Sequence, residues 1–407
     1  MNPSTLSGQY KIGEWLDRTN LYLACLVAFF IPVSAAGNNI AFYTMLLFFL
    51  LSGNWQQKWQ CIKQSRLSQA ALLLWLLTFI SILYSIASYH YAFSMATKYD
   101  KLLFIPMLLY TLRSDRDIKW CLNSFWAALV LTLVLGYLYR FLPIHLQNLY
   151  FMINTPFIMH IETNMMMAFF AFWLVYHCLR KGATIKGRIG WGIAALITIY
   201  YVLAMSPARS GWVTFFALMG YLIYLFIRQG QWRKSLLIIL LGITAFGVAS
   251  QSHEFKIRAA EGQNDLQQYA QGNPASSLGD RITFYRTTAT IIKHKWLIGT
   301  GIGGYEVAYH QLAEQLHLVD FISSNPHDQY LDVTAQLGIT GLALLLWLYL
   351  SVWYSRNWNN QQQVLLAQGI CITIMVGCLF NSWLMDIHAG FCFCLLAVLG
   401  TWKEEIQ

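Results

Sequence analysis

The residue with the clearest potential for chemistry is His327, which follows Asn325-Pro326 in a polar segment and precedes Asp328. A neutral imidazole can accept a proton from a hydroxyl group near pH 7, so His327 is a candidate general base. A structural role for a single histidine remains the alternative. The polar segment contains no cysteine, which argues against a disulfide framework or a thiolate metal site there.

Three arginines supply a second kind of chemistry. Arg209 lies between two apolar runs, and Arg281 and Arg286 lie five positions apart in the polar segment. A guanidinium group near lipid pairs with an acid or binds an anion, and it contacts phosphate oxygens through two parallel hydrogen bonds. Two other roles stay open: Arg209 extending to the lipid head groups, and a salt bridge between Asp280 and Arg281. One histidine and several arginines without a metal cluster suit an anionic substrate carried in the membrane, such as a lipid pyrophosphate.

A glycine-rich run precedes the histidine. Gly299, Gly301 and Gly304 formally match a dinucleotide-binding pattern. That fold also requires a preceding strand, a βαβ unit and an acid about 20 residues further on, whereas these glycines lie between helical segments. A tight turn that lets two backbones approach is the favoured interpretation, and a nest of backbone N–H groups for an anion is the alternative.

A membrane protein must position these residues, because hydrophobic residues make up 57% of the 407 positions and charged residues 11%. Apolar runs of about 17–25 residues recur, which is the length that a helix needs to cross a bilayer core about 30 Å thick. In lipid only helices and closed barrels satisfy their own backbone. The predicted fold class is an all-α polytopic membrane protein with about twelve transmembrane helices and one large helical loop.

The predicted organisation has three parts. Residues 1–250 hold nine spans, residues 251–332 form the large loop that carries site residues, and residues 333–407 hold three spans and a tail. The predicted spans are 21–36, 39–53, 69–88, 101–112, 120–140, 158–179, 190–206, 211–227, 235–250, 333–354, 363–383 and 387–402.

Basic residues set the predicted orientation. With the N-terminus in the cytoplasm, most Lys and Arg residues of the short connections fall inside, so both termini are predicted to be cytoplasmic. The membrane topology therefore accounts for most of the net charge of +9, and no nucleic-acid partner is predicted. Lys98 and Lys101 remain on an outer connection, where they are weaker candidates for binding phosphate.

Three segments resemble the O-antigen ligase/polymerase superfamily, whose shared region is called the Wzy-C domain. They are residues 206–211, Arg281 with 296–303, and 327–331 with 336–341. They look like the family's motif of small residues before an arginine, its arginine followed by a glycine-rich turn, and its motif that begins with His-Asn. In this chain Asp328 replaces the asparagine.

The resemblance implies a GT-C-type glycosyltransferase that needs neither a metal nor another cofactor. The chain length and the single large loop look most like the O-antigen ligases of lipopolysaccharide assembly. Such enzymes transfer a polysaccharide from undecaprenyl pyrophosphate to a sugar hydroxyl of lipid A–core, with inversion, at the periplasmic face of the bacterial inner membrane. The implied partners are these two substrates and membrane lipids.

The resemblance also implies roles for individual residues. His327 would be the catalytic base, and Arg209 and Arg281 would bind the pyrophosphate. Further substrate-binding candidates are Arg286, Lys98 and Lys101, and supporting candidates are Asp328, Tyr330, Gly301 and Gly303.

Two other functions stay open. A polymerase of O-antigen or capsule would use similar donors with a lipid-linked repeat unit as acceptor. A transporter of polysaccharide-lipid would be expected to carry charges in the middle of its spans, and the apolar runs of this chain hold almost none.

Overall fold

The computed structural model describes residues 3–141, 155–271, 277–316, 323–354 and 360–405. Within these ranges the chain is helical and contains no β-strand. The α-helices are α1 (Pro3–Phe30), α2 (Ala35–Leu51), α3 (Trp55–Gln64), α4 (Arg66–Ser81), α5 (Tyr89–Thr97), α6 (Phe104–Thr111), α7 (Asp115–Phe141), α8 (His160–Leu179), α9 (Ile185–Tyr200), α10 (Arg209–Arg228), α11 (Trp232–Ala249), α12 (His253–Ala270), α13 (Ser277–Lys295), α14 (Gly304–Gln315), α15 (Gln329–Trp353), α16 (Gln361–Gly377) and α17 (Ile387–Glu405).

Polar side chains fix where several helices begin. Ser34, Ser65 and Thr184 accept hydrogen bonds from backbone N–H groups of the first turns of α2, α4 and α9. Such N-caps satisfy donors that have no partner inside the helix, and each contributes about 0.5–2 kcal/mol. Ser and Thr thus start apolar helices without placing a charge beside them.

Six helical stretches are long and apolar enough to cross a membrane, among the residues that the structure describes. Helices α2 and α3 would supply a seventh if they count as one span, although they are bent by 116° at the break between them. The prediction of about twelve spans therefore stays a prediction. By length and composition alone, the six stretches are Arg66–Tyr84, Asp115–Phe141, Ile185–Met205, Arg209–Arg228, Trp232–Ala249 and Gln329–Trp353, of which the last is broken at Gly338.

The predicted span at 101–112 does not form one long helix. A 3-10 turn over Asp100–Leu103 leads into α6, which has eight residues. Eight helical residues rise only about 12 Å, far less than the hydrocarbon thickness. Nearly all side chains of α6 are buried, and the helix packs against α1, α2, α4 and α17. On its own, α6 is therefore too short to cross a membrane, and its apolar residues are buried within the protein.

The chain packs into two compact units. Unit 1 comprises Met1–Ala127, Thr283–Cys371 and Asn381–Gln407, and unit 2 comprises Ala128–Ile282 and Ile372–Phe380. In unit 1, α1 packs against α2, α4 against α15, and α6 against α17. In unit 2, α8 is buried along most of its length and packs against α9 and α10.

The polar segment predicted as one loop, 251–332, is mostly helical and contributes to both units. Helix α12 belongs to unit 2, and α14 belongs to unit 1. Residues 272–276 and 317–322 of this segment lie outside the described residues.

Candidate functional site

His327 adopts an unusual backbone conformation, with φ at +56° in the left-handed region. Its backbone N–H donates a hydrogen bond to Asn325 Oδ1 at 2.8 Å, and the same oxygen accepts the hydroxyl of Ser382 at 2.9 Å. The imidazole is partly exposed, and its centroid lies 6.1 Å from that of Phe284. Residues other than glycine rarely adopt the left-handed backbone conformation, because it is strained. Such a conformation persists where surrounding contacts hold it.

Asp328 is the N-cap of α15. Its Oδ1 accepts the N–H of Leu331 at 2.9 Å. Burial raises the pKa of the Asp328 carboxyl, while hydrogen bonds from the backbone N–H groups of Leu331 and Tyr330 oppose that shift. These contacts commit the Asp328 carboxylate to capping the first turn of α15.

Gly338 divides α15 into two parts. Its dihedral angles, φ 67° and ψ −166°, are not helical. Tyr330 lies before this break and Tyr349 after it, yet their ring centroids are 6.4 Å apart. Nineteen residues of straight helix would separate them by about 28 Å. The two halves of α15 therefore pack beside each other, and Tyr330 contributes to that packing.

The glycine-rich run forms backbone hydrogen bonds with the residues around the break at Gly338. Thr300 N donates to Ala335 O at 2.9 Å, and Gly301 N donates to Gln336 O at 2.9 Å. In the opposite direction, Ile339 N donates to Trp296 O at 2.8 Å. The run thereby satisfies backbone groups that the break in α15 leaves without helical partners.

Glycine is required where these backbones meet. A Cβ on Gly299 would lie 2.4 Å from the carbonyl carbon of Gln336, and one on Gly338 would lie 2.2 Å from Leu297 O. Gly301 and Gly303 also have positive φ, and a Cβ on Gly301 would lie 2.3 Å from the backbone of Ser85. The geometry supports the favoured interpretation, a turn that lets two backbones approach.

The backbone N–H groups of this run are occupied. From Gly299 to Gly304 each donates to an acceptor within the protein, including Ser81 Oγ for Ile302 and Gln336 Oε1 for Gly303. The alternative, an anion nest, would need these donors free. Gly301 and Gly303 therefore support the fold of the site and do not contact substrate through these groups.

Lys101 is buried, with 3% of its surface exposed. Its Nζ donates to the carbonyl oxygens of Leu384, Met385 and Asp386 at 3.3, 2.6 and 2.9 Å. An ammonium group has three protons to donate, and all three have acceptors here. This burial and these three hydrogen bonds contradict the prediction that Lys101 binds substrate phosphate. Lys98 is exposed. Burial raises the pKa of the Asp386 carboxyl, and the positive charges of Lys101 and, to a smaller extent, Lys98 oppose this rise.

Arg209 begins α10 in unit 2 and is paired with acids of α12. Its Nη2 lies 3.1 Å from Glu261 Oε2, and its Nη1 lies 3.8 Å from Asp265 Oδ2. Glu261 also pairs with Arg258 at 2.8 Å. A hydrogen bond from Arg258 lowers the pKa of the Glu261 carboxyl. Desolvation opposes this effect, and the charges of Arg258 and Arg209 add to it. Of the roles left open for Arg209, the structure displays the acid pair.

Arg281 lies near the start of α13 and is partly exposed. No ion pair joins it to Asp280 among the residues described, so the salt-bridge alternative is not realised. Burial raises the pKa of the Asp280 carboxyl, and the nearby charge of Asp265 adds to the rise. Arg286 is exposed on the same helix. Five helical positions separate two side chains by about 140° around the axis, so Arg281 and Arg286 lie on different faces of α13.

Some contacts of the site went unpredicted. Asn325 accepts the backbone N–H two residues further on, and asparagine in that role is a recognised turn signal, so the sequence could have indicated this contact. Glu261 and Asp265 lie four apart on a polar helix, a spacing that places two acids on one face. In the described ranges no group of three His, Cys, Asp or Glu side chains is arranged to hold a metal ion.

Comparison with known proteins adds two findings. Residues 193–346 match a family model described as Wzy_C, O-Antigen ligase, and this range contains Arg209, Arg281 and His327. A protein of Haemophilus influenzae, described as an uncharacterized protein, is 28% identical over 191 residues. That alignment covers 45% of this chain and 47% of the relative, so the similarity extends over about half the length of the curated relative.

Proposed function

Because residues 193–346 match the O-Antigen ligase family model, we propose that the protein joins a polysaccharide to lipid A–core. The donor is a glycan on undecaprenyl pyrophosphate, and the acceptor is a sugar hydroxyl. The observation that carries this proposal is that the family match includes all three residues expected to do the chemistry: Arg209, Arg281 and His327. The whole protein is a glycosyltransferase of GT-C type in this proposal.

The reaction is a single displacement. The acceptor hydroxyl oxygen attacks the anomeric carbon of the donor, and the bond from that carbon to the pyrophosphate oxygen breaks. The leaving undecaprenyl pyrophosphate takes the electron pair, and the imidazole of His327 takes the hydroxyl proton. Attack from the side opposite the leaving group inverts the anomeric configuration. The phosphate ester is already activated, so no nucleotide is needed.

The arginines stabilise the leaving group. Negative charge develops on the pyrophosphate as the bond breaks, and guanidinium groups aimed at that charge lower the barrier. Arg281 has no ion pair among the described residues and is available to an anion. Arg209 is held by Glu261 and Asp265. In the proposed reaction the donor pyrophosphate takes the place of these carboxylates.

The proposed location follows from the predicted membrane topology. A multi-pass inner membrane protein with about twelve spans and both termini in the cytoplasm places the segment that carries His327 in the periplasm. This is the compartment in which the lipid-linked donor and lipid A–core would meet. Arg286 and Lys98, both exposed, are proposed to contact acceptor phosphates.

Deletion followed by electrophoresis of lipopolysaccharide tests the function. Loss of a ligase leaves core without O-antigen, while long polymer accumulates on undecaprenyl pyrophosphate. Core bearing a single repeat would instead identify a polymerase and contradict the proposal. Donor lipid trapped on the cytoplasmic side would identify a transporter. Complementation with the intact chain should restore the ladder.

A further inference from the structure

The His327 turn is held by neighbours that belong to a distant part of the chain. Asn325 Oδ1 accepts two hydrogen bonds, one from the backbone N–H of His327 and one from the hydroxyl of Ser382. Ser323 fixes the backbone of Asn325, since its hydroxyl donates to Asn325 O at 2.6 Å and accepts from Asn325 N at 3.2 Å. The side-chain amide is thus the link between His327 and the segment 381–386.

The segment 381–386 is itself tied down at two points. Leu384 N donates to Gln329 Oε1 at 3.0 Å, and Gln329 is completely buried. Lys101 binds the three carbonyl oxygens of residues 384–386. Burying an ammonium group is costly unless its protons find acceptors, so this cluster is stable only when the segment keeps its shape.

We infer that Asn325 and Ser382 are positioning residues, which hold His327 in the left-handed conformation that aims its imidazole at the acceptor hydroxyl. Lys101 and Gln329 act one step further away by fixing the segment that carries Ser382. This inference rests on the proposed role of His327 as the base. It assigns to Lys101 a task inside the protein, in place of the substrate contact expected from its position in the sequence.

The test compares three variants of the full chain in phospholipid vesicles, with an undecaprenyl-pyrophosphate-linked glycan as donor and lipid A–core as acceptor. Asn325→Ala removes both hydrogen bonds, and kcat should fall about 100-fold, since misplacing a reacting group by about 1 Å costs that much. Ser382→Ala removes one bond, and kcat should fall about tenfold. In both variants the donor KM should stay unchanged.

Asn325→Asp provides the rescue. It keeps the Oδ1 acceptor for His327 and Ser382, so kcat should recover most of the loss seen with Asn325→Ala. A carboxylate two residues from His327 favours the protonated imidazole, and protonated imidazole cannot act as a base. The acidic limb of the kcat profile should therefore move to higher pH, which a role confined to stability would not produce.

Two controls separate the possible failures. Ser351→Ala removes a hydroxyl that, among the residues described, bonds Leu348 O of its own helix, and it should leave kcat unchanged. His327→Ala tests the premise: full activity of that variant overturns the proposed base itself. If His327→Ala is inactive while Ser382→Ala and Asn325→Asp match the wild type in kcat and pH profile, only the positioning role is overturned. If Asn325→Ala does not insert into the membrane, the positioning role is tested by the kcat of Ser382→Ala and the pH profile of Asn325→Asp.

Discussion

His327 and Arg209, each in its own unit, are held by contacts of opposite kinds. The neutral side chains of Asn325 and Ser382 hold the His327 turn through two hydrogen bonds. Arg209 is held by two carboxylates and remains 41% exposed, as its partner Glu261 remains 44% exposed.

The difference matches the two tasks proposed for these residues. A base must keep one orientation throughout the reaction, and neutral hydrogen bonds, here partly buried, give it that orientation without competing with an anionic substrate. A binding group must exchange partners. An exposed ion pair contributes only about 0–1 kcal/mol, so a pyrophosphate with several negative charges can displace the carboxylates of α12. Each of the following predictions tests one side of this comparison.

The largest effect is expected from His327→Ala. Loss of a general base costs about 10²–10⁴-fold in rate, so the O-antigen ladder should disappear on electrophoresis of lipopolysaccharide. His294→Ala changes an exposed histidine of α13 and is the matched control, with a normal ladder expected. A wild-type ladder from membranes that contain His327→Ala would remove the histidine from the mechanism.

Arg281→Lys should raise the donor KM about tenfold. Lysine keeps the charge but loses the planar fork that contacts two phosphate oxygens. Arg233→Lys, an exposed residue of α11, is the control, and its donor KM should not change. Steady-state transfer with purified protein measures both values. Equal donor KM values for wild type and Arg281→Lys would contradict two-pronged binding of the pyrophosphate.

Glu261→Gln should lower the donor KM about two- to fivefold, because it removes an anion that competes with the donor for Arg209. The effect should shrink at high salt, which screens the ion pair in the wild type. Glu314→Gln on α14 provides an exposed control. An increase in donor KM would mean that Glu261 helps to hold Arg209 in its binding position and does not compete with substrate.

The smallest effect on activity is expected from Asp328→Asn. Asparagine caps helices about as well as aspartate, so transfer should change by less than about twofold. The pH dependence of stability should differ between the wild type and Asp328→Asn. The raised pKa of Asp328 means that the wild type loses stability as pH rises from the ordinary aspartate pKa through the raised value. Above that window Asp328→Asn should melt at a higher temperature than wild type, and a melting temperature below wild type at pH 7 would contradict this account.

Much of the helical framework could be predicted from hydrophobic patterns, and the glycine-rich turn could be predicted from residue type. The run at 101–112 shows the limit, because a helix buried in protein and a helix buried in lipid are equally apolar. The bend at Gly338 was also hidden inside an apolar run read as one span, 333–354. A single glycine in such a run does not by itself indicate a break.

The site divides in the same way. The residue types for chemistry could be read from the sequence, because His and Arg are rare in apolar surroundings. Their partners could not, since they depend on contacts between distant parts of the chain. Lys101 was assigned to the outer surface from its neighbours in sequence, and its acceptors lie 283 to 285 residues further along.

That long separation in sequence has a consequence during synthesis of the protein on the ribosome. At about 5–20 residues per second, Lys101 is made roughly 15–60 s before the carbonyl groups that it binds. The turn of His327 also emerges before Ser382, the residue that donates to Asn325. In the proposed function, a nascent chain therefore carries His327 without the contacts that orient it, and transfer activity would begin only after the segment 381–386 has been inserted and has reached Lys101.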